Sequence, residues 1–173
     1  LGGILKDKGK LQEAELSYRK AIEIKTDLAE SHFNLASVLK ELGKSKEELS
    51  HLIKSFELKP EEDDYIKSLT IFLINMGNFE LASKYLIKGK SDTCQSLYLG
   101  CLLSLDREKD FNKQYKEIFK NKICNADIGG ILEHANIIYE KQYKSPFCNQ
   151  SIQYVFLDKI NEESFSSNDL ENL

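Results

Sequence analysis

Four cysteines (Cys94, Cys101, Cys124 and Cys148) and three histidines (His32, His51 and His134) are the side chains with which this 173-residue chain could ligate a metal or attack a substrate. A structural zinc site needs close ligand pairs such as Cys-x-x-Cys. Here the cysteines stand 7, 23 and 24 residues apart, with no histidine in ligand register. Cys94 and Cys101 are two helical turns apart, so they are expected on one helix face as buried reduced thiols. The histidines open no His-x-Asp or His-Glu-x-x-His motif and are expected at isolated surface or groove-edge positions. A Gly-x-Ser-x-Gly elbow, a Gly-rich phosphate loop and a dinucleotide fingerprint are all missing. The acidic run Glu61 to Asp64 follows Pro60 at a helix start, where it is expected to complement the positive helix terminus rather than hold a cation. The expectation is therefore no catalytic residue, no cofactor and no metal: this chain is not read as an enzyme.

Composition narrows the remaining classes. With 41% hydrophobic and 30% charged residues, the chain can bury a core and stay soluble. No apolar run approaches the roughly 18 residues of a membrane span, and no signal peptide is visible, so a cytoplasmic location is expected. The formal charge of −4 collects toward the C-terminus, and no face is polybasic, which argues against duplex nucleic acid or an anionic membrane as partner.

The elements that must position these side chains follow from a repeat. Gly9, Gly43 and Gly77 lie 34 residues apart, as do Leu1, Leu35 and Leu69. The first block carries Leu1-Gly2, Gly9, Ala14, Tyr18 and Ala21, with Thr26 near its exit. The second carries Leu35-Ala36, Gly43, Glu48, Leu52, Ser55 and Pro60, and the third Leu69-Thr70, Gly77, Ala82, Leu86 and Gly89. Small residues allow close helix approach, and each Gly can end a helix in the left-handed conformation. Asp27 with Glu30, and Ser45 with Glu48, have the spacing of capping boxes.

These positions resemble the tetratricopeptide repeat, a 34-residue helical hairpin whose apolar faces are buried only by stacking. The resemblance implies an all-α helical-hairpin solenoid, a right-handed superhelix with degenerate C-terminal helices and a short extended tail. Residues 1–90 are read as repeats, the first truncated and the third degenerate. Residues 91–142 are read as a degenerate pair and a capping helix, with Leu97, Gly100, Cys101 and Leu105 or their neighbours on one apolar face, then Phe111, Tyr115, Ile118 and Phe119. The capping helix is expected from Ala126 to about Gln142, burying Ile128, Ile131, Leu132, Ala135, Ile138 and Tyr139. Residues 143–173 are read as a linker with a strand at 152–158 and a helix start near Asp169.

In such arrays the first helix of each unit lines the concave surface. The resemblance places Glu30, Phe33, Asn34, Ser37, Lys40 and Glu41 there in the second unit, and Lys67, Ser68, Ile71, Ile74 and Asn75 in the third, joined by Asp64 and by Gly3, Lys6 and Asp7. It implies a scaffold that binds a peptide or partner domain in this groove. The carboxylate clamp of some cochaperone arrays is matched only at Asn34, and Ser68 departs from it. An alternative rests on residues 145–165: the layout resembles bacterial proteins joining such repeats to a 2-oxoglutarate/Fe(II) oxygenase, and related arrays join sulfotransferases or glycosyltransferases. The chain would then be a non-catalytic recruiting arm for a catalytic domain beyond residue 173. A first residue in mid-repeat and the lack of an initiator Met lead us to expect an excerpt of a longer protein.

Overall fold

A computed structural model describes residues 2–121, 123 and 126–144. Among them are nine helices and no strand: α1 (Gly2–Asp7), α2 (Leu11–Ile24), α3 (Ala29–Glu41), α4 (Ser45–Leu58), α5 (Asp63–Asn75), α6 (Phe79–Leu86), α7 (Asp92–Ser104), α8 (Glu108–Lys120) and α9 (Ala126–Ile138). The chain is an all-α array of helical hairpins, as the repeat implied. It divides into two compact units, the division falling between Asp106 and Arg107. The strand expected at 152–158, the helix start near Asp169, Cys124 and Cys148 lie outside the described residues.

In the first unit the turns between α1 and α2, α3 and α4, and α5 and α6 are built alike. Gly9, Gly43 and Gly77 adopt φ of 72°, 71° and 74°, and each glycine N–H bonds back into the helix it ends, to Lys6, Lys40 and Ile74. A β-carbon in this region costs about 1–2 kcal/mol, which is why one residue type recurs there. The hairpins then stack: α3 packs on α2 and α4, α5 on α4 and α6, and α7 on α6 and α5.

Side-chain size explains the recurring step between the paired helices. A β-carbon on Gly2 would sit 2.7 Å from the Tyr18 ring, so the bulky Tyr18 demands glycine opposite. In the next two units smaller Leu52 and Leu86 replace Tyr18, and the position of Gly2 is filled by Ala36 and Thr70, both buried. The core between the second and third hairpins joins Ala36, Leu52, Phe56, Ile66, Leu69, Leu73, Ala82 and Leu86 with the thiols Cys94 and Cys101.

Several local expectations are corrected. Neither capping box forms: α3 is preceded by Leu28 and α4 by Lys44, neither with a side-chain cap. Asp27 is one residue too early, and Ser45 is already the first helical residue, so its hydroxyl cannot serve the N-cap geometry. On α7 the buried face falls on Cys101 and on neighbours of the other named positions: Cys94, Ser96, Leu99, Cys101 and Leu102 are buried, while Leu97, Gly100 and Leu105 are only half-buried.

In the second unit, α8 buries Phe111 and Ile118, and α9 buries Ile128, Gly129, Leu132 and Ala135. Phe119 and Ile138, expected inside, are about half exposed. Helix α9 ends at Ile138, short of the expected Gln142, because Glu140 turns to φ 50° and Tyr143 folds back. The Tyr143 ring packs edge-on against Phe111 at 5.2 Å between centroids. Its hydroxyl donates to Asn112 Oδ1 at 2.7 Å, and its N–H donates to Asn136 Oδ1.

Candidate functional site

Helix α3 runs from Ala29 to Glu41 and α5 from Asp63 to Asn75, with the start of α4 between their C-terminal halves. Together they enclose a depression of about 330 Å³. Its walls are Phe33, Ala36, Ser37 and Lys40 of α3, Ser45, Glu48 and Leu52 of α4, and Ser68, Ile71, Phe72 and Asn75 of α5, with Met76 beside them. Six of the expected groove residues meet here: Phe33, Ser37, Lys40, Ser68, Ile71 and Asn75.

The other five lie outside this depression. Glu41 pairs with Lys6 Nζ at 3.1 Å, and the same ammonium donates to Ser37 Oγ at 2.6 Å. Lys67 is held by Asp64 at 2.6 Å, which keeps its pKa above the usual lysine value. Ile74 packs against the core, Glu30 is exposed and Asn34 half-buried.

Sequence reasoning missed Glu48 as a groove residue. It is 8% exposed, and its carboxylate has no hydrogen-bond or ion-pair partner among the described residues. Burial raises its pKa above the ordinary 4.5, opposed by the positive charge of Lys40. The signal was present in the repeat: Glu48 stands where the neighbouring units carry Ala14 and Ala82, both fully buried. Burying a carboxylate there without a partner is costly, so the position is unusual on physical grounds alone.

Elsewhere one expectation about polar residues is overturned, while the acidic run does place Asp63 and Asp64 in the first turn of α5, as expected. His32 and His51 are not isolated: their Nδ1 atoms lie 2.9 Å apart, and His32 Nε2 lies 3.1 Å from the Thr26 carbonyl. They line a second, shallower hollow on α4, with Ile22, Leu49, Ile53 and Glu57 among its walls. Within the acidic run, Glu62 precedes α5 but caps nothing with its side chain. Asp63 instead accepts from the backbone N–H groups of Lys90 and Ser91, at 2.9 and 2.8 Å, tying the start of the third hairpin to the link that follows it. No group of three or more His, Cys, Asp or Glu side chains is arranged to hold a metal among the described residues, and no described helix is long and apolar enough to cross a membrane.

Repeated antiparallel hairpins, with a left-handed glycine at the turn of each of the first three, define a helical-repeat protein. Residues 2–43 match the family described as TPR repeat, and residues 29–62 the one described as tetratricopeptide repeat; over that span the chain carries repeats of the tetratricopeptide type. Solved structures agree on the fold. A tetratricopeptide repeat protein from Parabacteroides merdae superposes with a TM-score of 0.61 at 20% identity, over 82% of this chain and 57% of its own. This chain thus spans little more than half of that protein. YrrB, a TPR protein with an unusual peptide-binding site, gives 0.58 at 16% identity, over 92% of this chain and 89% of its own. MamA gives 0.55 at 17% identity, over 82% and 74%. No curated protein gives a significant match.

Proposed function

We propose that this chain is a protein-interaction module that takes a peptide, or an extended segment of a partner domain, in the groove between α3 and α5. The observation carrying this reading is the depression itself. Six inward positions of two successive units converge on it, with apolar walls from Phe33, Ile71 and Phe72 and polar groups from Ser37, Lys40, Ser68 and Asn75. Apolar surface with a few placed polar groups is what fixes a bound segment and its register. The peptide-binding site in the name of YrrB, a similar fold, accords with this use. The chain would supply surface and no chemistry.

The groove is testable without knowing the natural partner. Dodecapeptides selected from a displayed random library against the whole chain should lose binding about tenfold or more on Ile71→Asp, since a charge would enter the apolar wall. Asn34→Ala combined with Lys67→Ala should weaken capture less, because those side chains lie beside the depression. Melting temperature should stay unchanged, as Ile71 is 37% exposed. Selected peptides indifferent to Ile71→Asp, or sensitive instead to Lys46→Ala and Lys54→Ala around the second hollow, would remove the groove from consideration.

A further inference from the structure

Glu48 makes the depression more specific than a generic groove. The residue is 8% exposed, and its carboxylate lines the cavity and meets no donor among the described residues. The charged groups facing it are few. Lys40 on α3 lines the same depression and acts on Glu48 through its charge, yet no ion pair joins them. Lys6 is engaged by Glu41 and Ser37. Helix α5 contributes only the neutral Ser68 and Asn75 among its polar lining groups.

A segment seated between Phe33 and Ile71 would displace the water that still reaches this carboxylate. A neutral apolar ligand would leave a charge buried and unpaired, which disfavours its binding. A peptide N–H could offset part of it, and only a cation offsets the charge. We propose that the groove recognises a peptide bearing a basic side chain, lysine or arginine, whose cation pairs with Glu48 while flanking apolar residues rest on Phe33, Ile71 and Phe72. The proposal rests on the groove reading above and goes beyond it in naming the chemistry of the occupant. The other two repeats cannot do the same, because the equivalent positions are Ala14 and Ala82.

The test uses the same displayed dodecapeptide library on the whole chain and on Glu48→Gln, which keeps shape and removes charge. Peptides selected on the wild type should carry Lys or Arg at one shared position. Replacing that residue by citrulline or norleucine should cost about tenfold or more in Kd against the wild type and little against Glu48→Gln. Glu48→Ala, which restores the small residue of the other units, should show the same loss while melting no lower than the wild type, so misfolding is not the cause. Peptides that lose binding on Ile71→Asp, yet show no basic preference or bind Glu48→Gln equally, would overturn the basic-side-chain inference and leave the groove standing. Selection of no peptide, or of peptides indifferent to Ile71→Asp, would overturn the groove and this inference with it.

Discussion

His32 on α3 and His51 on α4 face each other Nδ1 to Nδ1 at 2.9 Å, so one ring must donate and the other accept. Because His32 Nε2 lies within hydrogen-bond distance of the Thr26 carbonyl, its proton belongs there, and His51 Nδ1 becomes the donor. The pair closes the second hairpin with a bond across 19 residues of sequence.

This pair gives the fold a pH dependence. Burial first, then the neighbouring charges of His32 and Arg19, hold His51 below the usual histidine value of 6.5. The folded state therefore binds this proton less well than the unfolded chain. The stabilisation is present above pH 6.5 and lost as pH falls through the depressed value. Denaturant unfolding at about pH 7.5 and 5.5 should show wild type losing more stability than His51→Phe, and equal losses would contradict the assignment.

Glu48→Ala should stabilise the chain by about 1 kcal/mol at neutral pH, since it removes a buried unpaired carboxylate and restores the residue type of Ala14 and Ala82. The sign follows from its raised pKa. Glu48 costs nothing below its ordinary 4.5, and stability is lost as pH rises through the raised value. The gain on substitution should thus shrink toward about pH 4, which paired thermal melts would detect.

Glycine substitutions should split by backbone conformation. Gly43→Ala forces a β-carbon into φ 71°, although nothing lies within 4 Å, and should cost about 1–2 kcal/mol. Gly130→Ala, within α9 and equally open, should stabilise by about 0.5–1 kcal/mol. Chemical denaturation of both variants checks the opposite signs.

Cys101 should resist alkylation until the chain unfolds. It is 1% exposed, and burial pushes its thiol up to about 11, leaving almost no thiolate at neutral pH. Peptide mass mapping after iodoacetamide treatment, with and without denaturant, gives the readout; fast native labelling of Cys101 would show that α7 opens readily.

The amino-acid sequence by itself determined the hairpin repeat. A left-handed turn at Gly9, Gly43 and Gly77, and helices with an apolar face between them, are local properties, and stacking needs only neighbouring units. Even the size exchange of Gly2, Ala36 and Thr70 against Tyr18, Leu52 and Leu86 is legible at fixed spacing. For the same reason six of the eleven expected positions line one depression. What only the tertiary structure decided are meetings between residues distant in sequence: His32 with His51, Asp63 with the backbone of Lys90 and Ser91, and Lys6 with Glu41 and Ser37. Each requires the phase of two helices at once. A shift of one residue turns a side chain by roughly 100° around a helix. That same sensitivity decided which neighbours share the buried face of α7, left Ser45 unable to cap α4, and turned Glu48 from an expected cap into a carboxylate facing the groove.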